Sequence, residues 1–146
     1  MARSPKIIVA VDGSKIASQA AKFAVKEAQC QGAKIYLVHV VDWSGFEHIT
    51  VSEMSERHAQ REREIESAQK KILDPLVKKI SAPGLEIESM VRHGHAVEVL
   101  SELAEELKAT QIVVGRRGLG RLASLLLGSV SAGLAQVSPV PVTIVP

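Results

Sequence analysis

Residues 6–11, Lys-Ile-Ile-Val-Ala-Val, carry no polar side chain after the lysine, and Asp12, Gly13 and Ser14 close the run. A β-branched run ended by turn formers predicts a short strand buried on both faces. The period then changes. Over 15–30 the apolar positions Ile16, Ala20, Phe23, Ala24 and Ala28 share one helical face, with Ser14 as a natural N-cap and Gly32 just past the last turn. Residues 33–41 read as a second strand, and the loop after them holds Trp43 and Phe46. A long helical stretch follows over 53–80, interrupted or kinked near Pro75. Its alternating charges over 55–71 mark a solvated face. Residues 85–93 alternate apolar and polar, as a half-exposed or edge strand does, and Gly94 ends them. An amphipathic helix over 96–108, a strand over 111–115, a helix over 129–137 and a last strand from Val140 to Val145 complete the chain.

Short β-branched strands alternating with helices predict parallel βαβ units. The expected fold is an open, doubly wound α/β sheet of five parallel strands with helices on both faces. No repeat, low-complexity tract or linker divides residues 1–146, so one domain is expected. The pattern does not fix the strand order; a flavodoxin-like or related arrangement fits the length.

Charge sharpens this picture more than composition does. Apolar residues make up 46% and charged residues 23%, as in ordinary globular proteins. The net charge of +2 is too small to point to a nucleic acid or a membrane. Its distribution is uneven: after Glu106 there is no acid, and Lys108, Arg116, Arg117 and Arg121 put +4 there against −2 for residues 1–106. An anion is favoured near the C-terminal segment. The lone cysteine, Cys30, forms no internal disulfide, and no apolar run has membrane-spanning length. The first residues lack the pattern of a signal peptide, so a reduced, cytoplasmic setting is expected.

Within that segment lies Val-Val-Gly-Arg-Arg-Gly-Leu-Gly-Arg-Leu-Ala-Ser-Leu-Leu-Leu-Gly-Ser-Val, residues 113–130, with four glycines. Ligands of open parallel sheets bind beyond the carboxyl ends of the strands, where the strand order reverses. In the order 3-2-1-4-5 the first and fourth strands flank that crevice, and these end at Asp12 and Gly115. Gly115 and Gly118 would let the backbone turn and approach a ligand closely. Gly128 and Ser129 open the last helix, whose free amides favour phosphate. Gly115 and Gly120 have the first spacing of a P-loop, but Arg121-Leu122 stand where its Lys-[Ser/Thr] is required. Residues 118–123 spell G-x-G-x-x-A in the fourth βα unit rather than the first, and no ribose-binding acid follows.

The spacing that fits is Gly115-x2-Gly118-x9-Gly128-Ser129, and with it the chain resembles the universal stress protein family in its ATP-binding branch. The likeness runs through Ile-Ile-Val-Ala-Val-Asp-Gly-Ser at 7–14, Tyr-Leu-Val-His-Val-Val-Asp at 36–42 and Ser-Pro-Val-Pro-Val-Thr-Ile-Val at 138–145. The resemblance implies the strand order 3-2-1-4-5, an adenine nucleotide and a magnesium or manganese ion beside the triphosphate. It implies Asp12 near ribose and phosphates, and the backbone of Val40 at the adenine edge. Gly115, Gly118, Gly128 and Ser129 are implied as the phosphate and ribose cradle, with Val130 beside them and Ser131 within reach of a phosphate. Arg116, Arg117 and Arg121 are this sequence's own: their charge suits a phosphate, and it also suits plain solvation of a loop. It further implies nucleotide-dependent regulation under stress, with at most slow hydrolysis, and a homodimer through the strand from Val140 to Val145.

Other readings stand beside these. Asp12 also suits a turn or a helix cap. Gly128 also suits a simple helix break, and Ser129 a plain N-cap. His39 reads as a satisfied structural histidine, and Trp43 and Phe46 either cover an adenine or pack on the sheet. His93-Gly94-His95 with Glu98 lacks the further ligand that a zinc site needs. No arginine finger or water-positioning residue is identifiable, so a true ATPase or phosphotransferase is a rival, as is a nucleotide-free dimeric interaction module.

Overall fold

The computed structural model describes residues 3–42, 50–118 and 127–146. Trp43, Phe46 and Arg121 lie outside the described residues. Five strands form one sheet: β1 (Lys6–Ala10), β2 (Lys34–Asp42), β3 (Ile87–Gly94), β4 (Gln111–Gly115) and β5 (Val142–Val145). All four pairings are parallel and the order is β3-β2-β1-β4-β5, as the resemblance implied.

Both faces of the central strands are apolar, so both must be covered. Ile7, Val9, Ile35, Leu37 and Val113 face α1 (Lys15–Gln31) and α3 (Asp74–Ile80). Ile8, Tyr36, Val38, Ile112 and Val114 face α4 (Ala96–Leu107) and α5 (Ser129–Val137). Alternate residues of a strand point to opposite faces, so one continuous apolar run serves two cores. Helix α1 meets its core with Ala17, Ala20, Ala21, Ala24 and Ala28, small residues that bring the helix close to the sheet.

Helix α2 (Val51–Ala68) begins two residues before the expected start, because Thr50 and Glu53 close a capping box. The expected interruption near Pro75 is a π-helical turn, Gln69–Leu73, between α2 and α3. Pro75 has no amide hydrogen for an α-helical bond, and the ladder widens just ahead of it, where Asp74 N–H donates to the Gln69 carbonyl. The Gln69 side chain steadies the turn, donating to Asp74 Oδ1 at 2.7 Å and to Ser89 Oγ of β3 at 3.0 Å. Among the described residues no helix is long and apolar enough to cross a membrane.

Candidate functional site

In a parallel sheet every helix that follows a strand starts at the carboxyl edge. Here the starts of α1, α4 and α5 surround the place where β1 and β4 diverge, and a cavity of 320 Å³ opens between them. That is within the range of small-ligand pockets. Its apolar part is formed by Val38 and Val40 of β2, Val114 of β4, and Ala96 and Leu100 of α4. Its polar part is formed by Asp12, Arg117 and the segment from Leu127 to Ser131. All nine expected residues, Asp12, Val40, Gly115, Arg117, Gly118, Gly128, Ser129, Val130 and Ser131, line this one cavity.

Asp12 shapes the turn, the first role weighed for it, and it also lines the cavity. Its Oδ1 accepts the Ser14 amide at 2.9 Å, shaping the turn, while Ser14 Oγ caps α1 by accepting Ala17 N–H at 3.1 Å. Its other oxygen lies over Gly118, where a Cβ would collide with it. Gly118 therefore lets the arginine loop settle on the Asp12 carboxylate. Gly115 differs from expectation: its missing Cβ makes room for Ile16 Cγ2 rather than for a ligand. The glycine brings the first turn of α1 down onto the end of β4. Gly128 closes the loop, with its amide donating to the Arg116 carbonyl at 2.8 Å.

Helix α5 covers the expected residues 129–137, but Ser129 is its first helical residue rather than its N-cap. Gly128 occupies the N-cap position, and among the described residues no side chain caps this helix. Its first amides have no carbonyl partner within the helix. Ser131 is only 2% exposed, and its hydroxyl donates to the carbonyls of Arg116 at 2.8 Å and Gly128 at 3.1 Å. That hydroxyl braces the loop.

His39 is satisfied, as expected, through Nδ1 and the Val11 carbonyl at 2.7 Å. The other histidines separate. His93 Nε2 lies 3.7 Å from Glu64 of α2, and His95 Nδ1 lies 3.9 Å from Asp42. Burial and the nearby Arg61 hold His93 below its ordinary pKa, with Glu64 opposing them. Among the described residues no group of three or more His, Cys, Asp or Glu gathers to hold a metal. The apolar wall escaped sequence reasoning. Val38 and Val114 were recoverable from their neighbours Val40 and Gly115, but Ala96 and Leu100 reach the cavity only because α4 docks across the sheet.

The model of the universal stress protein family matches residues 4–146. A universal stress protein of Mycolicibacterium smegmatis is 34% identical over 145 residues, covering 95% of this chain and 47% of that one. Universal stress protein YxiE of Bacillus subtilis is 32% identical over 148 residues, covering 96% and 97%. The chain thus spans about half the length of the mycobacterial relative and nearly all of the Bacillus one. Among solved structures, a universal stress protein crystallised in complex with cAMP is similar at 28% identity and a TM-score of 0.64, covering 99% of this chain and 98% of that one.

Proposed function

The chain belongs to the universal stress protein family, and from that premise we propose that it is a cytoplasmic, adenine-nucleotide-binding regulator of the stress response. Residues 1–146 act as one nucleotide-binding domain, and ATP is the ligand put forward. The observation that carries this reading is a single cavity joining an apolar slot to a helix start that, among the described residues, no side chain caps. The slot between Val40 and Leu100 suits a flat base, and the α5 amides with Arg117 suit phosphates. The complex of a relative with cAMP supports the adenine class.

A magnesium or manganese ion fits only in part. Asp12 is the carboxylate in the cavity wall, and Ser129 offers a hydroxyl. A hard cation held largely by phosphate oxygens and water needs little more from the protein. Such an ion would neutralise phosphate charge, with Asp12 as its protein ligand. The reading includes at most slow hydrolysis: among the described residues, Asp12 is the one acid that lines the cavity. A homodimer through β5 belongs to the same proposal.

The deciding experiment identifies the nucleotide that the purified protein carries, by chromatography and mass after denaturation. ATP, AMP and cAMP are then titrated into stripped protein and into Gly118→Val, with folding followed by circular dichroism. Adenine nucleotide bound by the wild type and lost in a folded variant is the expected result. No nucleotide on purification and none taken up on titration would leave a nucleotide-free interaction module.

A further inference from the structure

Strands β1 and β2 run in register from Lys6 opposite Lys34 to Ala10 opposite Val38. One step further, the Val11 amide still donates to the Val38 carbonyl at 2.9 Å. If the ladder continued, the Val11 carbonyl would accept the Val40 amide. It accepts the His39 imidazole instead, at 2.7 Å. A carbonyl only accepts, so Nδ1 of His39 carries the proton in this bond.

The consequence falls on Val40. Backbone polar groups of a strand alternate sides, and the Val38 carbonyl faces β1. Val40, two residues on, faces the same way, into the fork where β1 and β2 part, and it lines the cavity there. Its N–H and C=O form a donor beside an acceptor, which matches an adenine edge carrying a ring-nitrogen acceptor beside an amino donor. Guanine has a carbonyl where adenine has that amino group.

We infer that His39 is a positioning residue for base selection: its imidazole takes the Val11 carbonyl, holds the fork open and leaves the Val40 backbone pair to the base. The inference rests on the adenine reading of the cavity. It concerns the base end alone, so phosphate binding at α5 is independent of His39.

Two variants separate this role from a merely structural one. His39→Leu removes the donor, and His39→Asn keeps an N–H near the position of Nδ1. Amide hydrogen exchange at Val40, measured without ligand, is expected to slow in His39→Leu as the ladder closes, and to stay at the wild-type rate in His39→Asn. ATP affinity is expected to fall about tenfold in His39→Leu, the scale of one or two mispositioned hydrogen bonds, and to recover in His39→Asn. Affinity for inorganic tripolyphosphate, which has no base, is expected to stay unchanged. Unchanged ATP affinity in His39→Leu would overturn the inference, and so would equal losses for ATP and tripolyphosphate. Wild-type protein that takes up no adenine nucleotide would overturn the adenine reading and base selection with it. The Val40 exchange contrast, which needs no ligand, tells that failure apart from a failure of His39 to hold the fork.

Discussion

Two glycines three residues apart do different work. A Cβ on Gly115 would strike Ile16 Cγ2, with the Ile16 carbonyl carbon in contact at 3.4 Å, in a buried place where the β-branched Ile16 side chain must give. Gly115→Ala is therefore expected to lower unfolding stability by about 1–3 kcal/mol, the usual cost of overpacking, read from denaturant midpoints. A Cβ on exposed Gly118 meets the Asp12 carboxylate, which can swing aside. Gly118→Ala is expected to stay within about 0.5 kcal/mol of wild-type stability. Its ATP affinity should nonetheless fall in a calorimetric titration, because the displaced carboxylate enters the proposed ligand space. Both glycines were legible in the sequence as members of one spacing. Their separate reasons were not, because the atom that fills the space of a missing Cβ comes from α1 in one case and from the β1 turn in the other.

Among the elements, α2 is the least supported by packing. Residues 51–60 are all exposed, and its capping box supplies the local order that tertiary contact does not. Glu53 is held below the ordinary carboxylate value of 4.5 by the Thr50 backbone amide first and the Thr50 hydroxyl second. A lowered pKa means stability that is present above 4.5 and is lost as pH falls through the lower folded value. Protection of the first-turn amides of α2, taken relative to their intrinsic exchange rate, should therefore fall on acidification through that window. Thr50→Ala removes the hydroxyl half of the box and should lower that protection above the window as well, with the global unfolding midpoint little changed. The charge pattern of this helix was readable, and so was its disturbance near Pro75. That the disturbance is a π turn was not, because the alternative to a break depends on Gln69 finding Asp74 and Ser89.

At the scale of the molecule, the two sheet edges are treated differently. Edge β3 carries Glu88 and Arg92, charges that discourage pairing, whereas β5 is Val-Thr-Ile-Val with every residue half-buried. The Pro141 carbonyl accepts from Ile112 and the Val145 carbonyl from Arg116, so Val142 and Ile144 direct their backbone groups outward. If β5 pairs with a second copy, solution mass by light scattering should be twice the chain mass of 15.7 kDa. Val142→Pro removes an outward amide, which edge strands tolerate, and is expected to shift the mass to that of one chain. A wild type already at one chain mass would remove the dimer from the proposal.

By itself, the sequence determined the elements and the faces they bury, since strand and helix periods are local consequences of backbone geometry. It also determined that glycine and positive charge gather in one segment after β4, through spacing alone. Strand order came from resemblance, because every parallel order buries the same alternating residues. Only the tertiary structure decided that nine dispersed residues line one cavity, that Gly115 serves Ile16, and that Ser131 braces a loop. Only it decided that His39 takes the carbonyl that would otherwise belong to Val40. Such choices are made between groups distant in the chain, and the distances that decide them exist only once the sheet has formed.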